Sequence, residues 1–263
     1  MRTHRIYQVD AFAKGIFTGN PAAVVPLEAW LPDDLMQSIA LENNLSETAF
    51  FVKDADNYAI RWFTPLVEVN LCGHATLASA FVIFEELGVT DNKLSFSSKS
   101  GPLHVMRNND VLTLDFPTDQ IKSVGINPDI LLALGYNQCK AAYQGRDDLM
   151  YVFATQSIIE AMEPNFNDLI PLLDRGIIVT APGNGDIDFV SRGFFPSTGI
   201  NEDPATGSAH TTLTPYWSNQ LSKKKMKAVQ LSQRKGYFSV ESAGNRSYIS
   251  GKAAMYLRGE ISI

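Results

Sequence analysis

The chain has 263 residues, 45% hydrophobic and 19% charged, with a net charge of −6 and a pI near 5.2. That much apolar material builds real cores and excludes a disordered chain, while the acidic balance opposes binding along a phosphate backbone. The length fits one large domain or two of about 130 residues.

The start alternates, with Ile6, Gln8, Asp10 and Phe12 against Tyr7, Val9 and Ala11, which predicts a short strand. Phe17-Thr-Gly-Asn-Pro21 signals a turn, and residues 22–25 a second strand. Residues 32–43 read as a helix: Pro32 suits its first position, Asp33 and Asp34 favour the positive end, and Leu35, Met36 and Ile39 supply an apolar face. Residues 46–52 and 59–63 read as strands. A helix is predicted over 73–87, closed by Gly88. Its run A-T-L-A-S-A-F-V-I-F is apolar on every side, whereas a surface helix carries a polar stripe. Enclosure by strands follows, with 93–98, 103–108 and 111–116 as the wall.

Residues 117–128, rich in turn formers, read as a linker. Strands are predicted near 141–143, 149–153, 176–180 and 189–193, then a helix after Gly207 and strands at 227–232, 237–240 and 254–263. Pro215 falls inside that helix and is expected to kink or shift it. Lys223, Lys224, Lys225 and Lys227 read as a solvated helix end more readily than as a nucleic-acid patch. Cys72 and Cys139 form no metal-type spacing and no disulfide framework. No apolar signal core opens the chain and no segment reaches bilayer-spanning length, so the expectation is a cytoplasmic protein without membrane contact.

One pattern recurs about half a chain apart. Residues 61–76 read R-W-F-T-P-L-V-E-V-N-L-C-G-H-A-T, and 192–211 read R-G-F-F-P-S-T-G-I-N-E-D-P-A-T-G-S-A-H-T. The frame R-x-F-x-P holds Arg61, Phe63 and Pro65, then Arg192, Phe194 and Pro196, and each copy runs to a glycine turn, at Gly73 and Gly207. A repeat of this period means a duplicated domain, divided at 1–116 and 117–263, with the final strand free to pack on the first. Two such turns facing across a cleft make an expected ligand site.

Three places carry candidate chemistry. Glu47 is the lone charge in S-E-T-A-F-F-V and shares a strand face with Ala49 and Phe51. Desolvation there raises a carboxyl pKa toward the range useful for moving protons, although a solvated position at the strand mouth is the plainer reading. Cys72-Gly73-His74 opens the apolar helix, where backbone N–H groups can hold an anion and His74 can relay a proton; a capping histidine and an inert buried cysteine are the bland alternatives. Glu202-Asp-Pro-Ala-Thr-Gly-Ser-Ala-His210 is the counterpart, with N–H groups from Gly207 and Ser208 and a carboxylate from Asp203 to orient His74 or bind an amine. Asp203-Pro204 is equally a turn starter, and Ser208 equally a helix cap. Phe17, Trp62, Phe63 and Trp217 could line an apolar pocket or belong to the core, and core is the favoured reading for most of them.

Taken together, F-T-G-N-P-A-A-V-V (17–25), S-E-T-A-F (46–50), L-C-G-H-A-T-L-A (71–78) and E-D-P-A-T-G-S-A-H (202–210) resemble the phenazine-biosynthesis PhzF-like isomerase family over essentially the whole chain. The resemblance implies the diaminopimelate-epimerase-like α+β fold: two similar domains, each an antiparallel β-barrel around a central α-helix. It implies a homodimer that needs neither metal nor organic cofactor and acts on a small carboxylate. It assigns Glu47 as the acid/base, with His74 and Asp203 as catalytic partners, and Gly73, Gly207, Ser208 and Asn20 as substrate-binding residues. The implied reaction moves a proton within a dihydro-hydroxyanthranilate-like molecule; an amino-acid epimerase or racemase, or a non-catalytic binding protein on this fold, are the alternatives. The epimerase relatives invert a carbon with two cysteines, each opening a glycine turn. Here Cys72 holds the first position and Thr206 the second, and a threonine hydroxyl is no thiolate-like base at neutral pH.

Overall fold

The computed structural model describes residues 2–263 and divides into two compact units. One runs to Asp115 and takes in Ser250–Ile263; the other is Phe116–Ile249. The first elements in chain order are β1 (Thr3–Ala11), β2 (Asn20–Leu27), α1 (Asp33–Asn43), β3 (Glu47–Asp54), β4 (Asn57–Phe63), β5 (Glu68–Val69) and α2 (Gly73–Glu85). Then come β6 (Lys93–Ser98), β7 (Gly101–Asn108), β8 (Val111–Pro117), β9 (Lys122–Val124), α3 (Pro128–Ala133), β10 (Ala141–Gln144) and β11 (Asp148–Val152). They are followed by α4 (Gln156–Glu160), α5 (Phe166–Leu169), β12 (Gly176–Pro182), β13 (Phe189–Phe195), β14 (Ile200–Asp203) and α6 (Ala209–Leu221). The chain closes with β15 (Lys225–Gln230), β16 (Gly236–Ala243), β17 (Arg246–Gly251) and β18 (Ala253–Ser262).

The two units repeat one ladder. The first pairs its strands in the order β18-β1-β2-β3-β4-β6-β7-β8, with β5 beside β4. The second runs β9-β10-β11-β12-β13-β15-β16, with β14 beside β13. The sheets are mixed rather than purely antiparallel: β2–β3 and β4–β6 are parallel, as are β11–β12 and β13–β15. Parallel neighbours need a crossover, and helices supply it. α1 links β2 to β3 and α2 lies between β4 and β6; α4 with α5, and α6, hold the same places in the second unit.

The recurring arginine stands at the same point of both ladders. Arg61 on β4 makes a two-pronged contact with Glu68 on β5, both distances 2.8 Å. Arg192 on β13 does the same with Glu202 on β14, at 2.7 and 3.0 Å. Each guanidinium also lies over the phenylalanine of its frame, 5.2 Å from Phe63 and 5.0 Å from Phe194.

α2 is buried on every side and packs against β1, β2, β3 and β18. Its few polar groups bond back along the helix: Thr76 Oγ1 to Cys72 O at 2.5 Å and Ser79 Oγ to Ala75 O at 2.7 Å. It ends at Glu85, two residues before the expected end, and Gly88 takes a left-handed conformation at φ +68°. Pro32 caps α1 instead of occupying its first turn. α6 runs through Pro215, and the bond that proline cannot make is replaced: Thr211 O, four residues back, accepts the Asp119 N–H at 3.2 Å.

The linker is more than a connection, since β9 lies within it and pairs with β10. It ends in a helix start, where Asn127 Oδ1 accepts the Asp129 N–H of α3 at 2.9 Å. Three of the four lysines after α6 face acids: Lys223 meets Asp188, Lys225 meets Glu241 and Lys227 meets Asp186. The charge of these three is therefore locally matched. Among the described residues no helix is long and apolar enough to cross a membrane.

Candidate active site

Glu47 opens β3, its side chain 15% exposed, beside a strand face that continues into the buried Ala49 and Phe51. Its Oε2 lies 3.3 Å from Nε2 of His74, the second residue of α2. The other ring nitrogen, Nδ1, is 3.2 Å from Asn20 Nδ2 and 3.5 Å from Cys72 Sγ. With the Asn20 amide donating, Nδ1 accepts and the ring proton sits on Nε2, the nitrogen 3.3 Å from Glu47.

Local sequence sets each of these side chains. Asn20 begins β2, and β2 pairs with β3 in the register Ala22↔Glu47, which brings the two strand starts together. Gly19 precedes it at φ +72°, where a Cβ would come 2.2 Å from Ala11 O, so only glycine allows this approach. Cys72 is the extended residue before α2, and its side chain caps no helix amide. The first turn of α2 therefore offers N–H groups to an anion beside His74.

Glu47, Cys72 and His74 bring one ligand atom each within 4.8 Å of one another. This residue set could hold a cation such as zinc. The ring, however, faces Glu47 and Cys72 with different nitrogens, so a chelate requires the ring or the carboxylate to turn.

Asp203, Gly207 and Ser208 belong to the second unit. Asp203 ends β14, is 8% exposed, and its Oδ2 accepts the Thr206 hydroxyl proton at 2.5 Å. Ser208 has helical backbone angles and its side chain makes no capping bond, so it does not act as the plain cap that its position allows. Two residues outside the predicted set complete this turn. Gln230 at the end of β15 bonds both Asp203 and Thr206, and His210 Nδ1 donates to Thr206 O at 2.9 Å. The signal for His210 was present in the motif itself; a lone glutamine closing a strand carries none.

Of the aromatic candidates, Trp62, Phe63 and Trp217 are core, 1–3% exposed, whereas Phe17 is 63% exposed and meets Tyr256 edge-on. Both cysteines are free thiols.

Comparison with known proteins agrees with this architecture. The sequence profile of the family described as phenazine biosynthesis-like protein matches residues 9–259. An uncharacterised isomerase of Pseudomonas aeruginosa is 48% identical over 258 residues, 98% of each chain. A crystal structure of a PhzF-family phenazine biosynthesis protein from Enterococcus faecalis is 47% identical, with a TM-score of 0.96 and 100% of both chains covered. A hydroxyproline epimerase from Agrobacterium vitis, solved with bound trans-4-hydroxy-L-proline, shares the fold alone: TM-score 0.62 at 11% identity, over 99% of this chain and 92% of that one. The architecture is the diaminopimelate-epimerase-like fold. The chain belongs to the phenazine biosynthesis-like, or PhzF-like, isomerase family.

Proposed function

We propose that the protein is a cofactor-independent isomerase that moves a proton within a small, dihydro-hydroxyanthranilate-like carboxylate, with Glu47 as the single acid/base. The observation that carries this reading is the Glu47–His74 contact of 3.3 Å, with the far side of the ring 3.2 Å from Asn20. A mostly buried carboxylate beside an oriented imidazole is equipped to take a proton from one carbon and return it to another. Glu47 becomes the neutral acid in the first step and a carboxylate again in the second, so no electrons leave the substrate. In this reading the substrate-contact roles that the family resemblance implies fall to the amides of Gly73, Gly207 and Ser208 and to the side chains of His74 and Asp203. Two-thiol inversion is disfavoured, because Thr206 replaces the second cysteine and its hydroxyl is already bonded to Asp203.

The test is deuterium uptake from heavy water, followed by NMR across cyclic and amino carboxylates that include a dihydro-hydroxyanthranilate. Glu47→Gln is expected to fold normally and to lose about 10²-fold or more in uptake, the usual worth of a positioned acid/base. Cys72→Ala is expected to keep it. Uptake undiminished in Glu47→Gln overturns the one-base reading, and uptake abolished in Cys72→Ala moves the chemistry to the thiol.

A further inference from the structure

Gln230 is 1% exposed and directs its whole side chain at one turn. Its Oε1 accepts the Thr206 N–H at 2.8 Å, while Nε2 donates to Asp203 O at 2.7 Å and to Thr206 Oγ1 at 3.0 Å. A backbone N–H only donates and a carbonyl only accepts, so the amide has a single orientation. That orientation sets the next bond. The Thr206 hydroxyl has one hydrogen; because its oxygen already receives Nε2–H, the hydrogen goes to Asp203 Oδ2, 2.5 Å away. The chain Gln230→Thr206→Asp203 thus runs in one direction only.

The fold does not require this clamp. In the first unit β6 holds the place of β15, and its last residue, Ser98, donates instead to Gly101 O within its own hairpin. The Cys72–Gly73 turn forms without a glutamine, on the same ladder. A buried clamp present in one copy of a duplicated fold, and aimed at a carboxylate, points to a task for that carboxylate rather than to a need of the architecture.

We propose that Gln230 and Thr206 are positioning residues that hold Asp203 in one orientation as a hydrogen-bond acceptor for the substrate. Thr206, at the place where epimerase relatives carry a second cysteine, serves as a fixed donor to Asp203. This deepens the isomerase reading and rests on its assignment of Asp203 as a substrate contact.

Gln230→Glu separates direction from shape. The new carboxylate still accepts the Thr206 N–H, but its second oxygen also accepts, so the Thr206 hydroxyl turns away from Asp203. Thr206→Val removes the hydroxyl at constant shape, and Thr206→Ser retains it. On whichever carboxylate the wild-type protein turns over, Gln230→Glu and Thr206→Val should lower kcat/KM about tenfold to a hundredfold, mainly through KM, with Thr206→Ser within about threefold, as for one hydrogen bond to a charged group. Crystal structures of Thr206→Val and Thr206→Ser give a readout independent of turnover: the Asp203 side chain should rotate in the first and stay in the second. Thermal melts identify a variant that fails to fold, and Thr206→Val then stands in for Gln230→Glu. An Asp203 side chain unmoved in Thr206→Val, or wild-type KM in both variants, overturns the proposal. A wild-type protein inactive on every carboxylate strikes the isomerase reading alone, and the crystal structures still decide the clamp.

Discussion

His210 lies wholly inside the second unit, stacked on Phe238 with ring centroids 3.7 Å apart. Burial pushes its pKa from the ordinary 6.5 down to about 4. Desolvation outweighs the bond from Nδ1–H to Thr206 O, because the second proton must enter at Nε2, which has no hydrogen-bond partner among the described residues. Between pH 6.5 and about 4 the unfolded chain binds the proton and the folded one does not. Stability therefore falls as pH drops through that window, by roughly 3 kcal/mol once it is crossed. His210→Phe should cost about 1–2 kcal/mol at pH 7, where Thr206 O loses its donor, yet lose less on acidification. Urea unfolding at pH 7 and pH 4.5 checks this, and an equal acid loss in both proteins refutes the assignment. Single residues were legible in the sequence where a short motif carried them. Glu47, His74 and Asn20 lie in such motifs and meet in the structure. Gln230 was not legible, because 24 residues separate it from Thr206 and nothing local marks a strand-end glutamine as a clamp.

Among the elements, the duplicated arginine does unequal work in its two settings. Arg192 serves Glu202 and also donates to Ile159 O and Met162 O, at 3.1 and 2.6 Å, where α4 ends. Arg61 serves Glu68 and the exposed Asp33, and Lys99 also reaches Glu68, at 2.5 Å. Its guanidinium holds the Glu68 carboxyl below the usual carboxylate range, first through their hydrogen bond. Removing Arg192 strands an acid and two carbonyls, whereas removing Arg61 leaves Glu68 with Lys99. Arg192→Met should thus destabilise by about 3 kcal/mol and Arg61→Met by about 1, and Arg192→Met/Glu202→Met should regain part of the loss. Urea midpoints at constant m-value measure all three; equal costs for the two arginines would refute the argument. The sequence displayed both arginines but not their partners, because the glutamates lie at different spacings, seven and ten residues on. It displayed α2 through its continuous apolar run. The short helices α3, α4 and α5 stayed hidden because six residues or fewer give too little periodicity, although Asn127-Pro128-Asp129 is a helix-start signal inside the supposed linker. Parallel pairing was hidden for a different reason: it depends on where a crossover returns, which a strand's own residues do not encode.

At the scale of the whole chain, the repeat is shifted by one strand. In the second unit the outer neighbour of β10 is β9, which directly precedes it in the sequence. In the first unit the outer neighbour of β1 is β18, from the far end of the chain. The pairing runs from Thr3↔Ser262 to Ala11↔Ala253, with a bulge at Gln8/Val9. Ile261 and Ile263 then pack on the cluster of Val25, Met36, Phe50 and Phe63. The sequence showed the duplication through its R-x-F-x-P frames, but the closing pair joins residues some 250 positions apart, and no local pattern reports such a contact. Removal of residues 252–263 should therefore damage the unit that lies at the other end of the sequence. β1 would lose its ladder on one side and the cluster two apolar side chains, while the β9–β10 pairing would be untouched. The three tryptophans report this separately, since Trp30 and Trp62 lie in the first unit and Trp217 in the second. In protein labelled with 5-fluorotryptophan, truncation should collapse the Trp30 and Trp62 resonances toward unfolded shifts and leave Trp217 dispersed. Native shifts for all three would mean that β1 holds its place without β18; loss of all three would mean that the second unit does not stand on its own core.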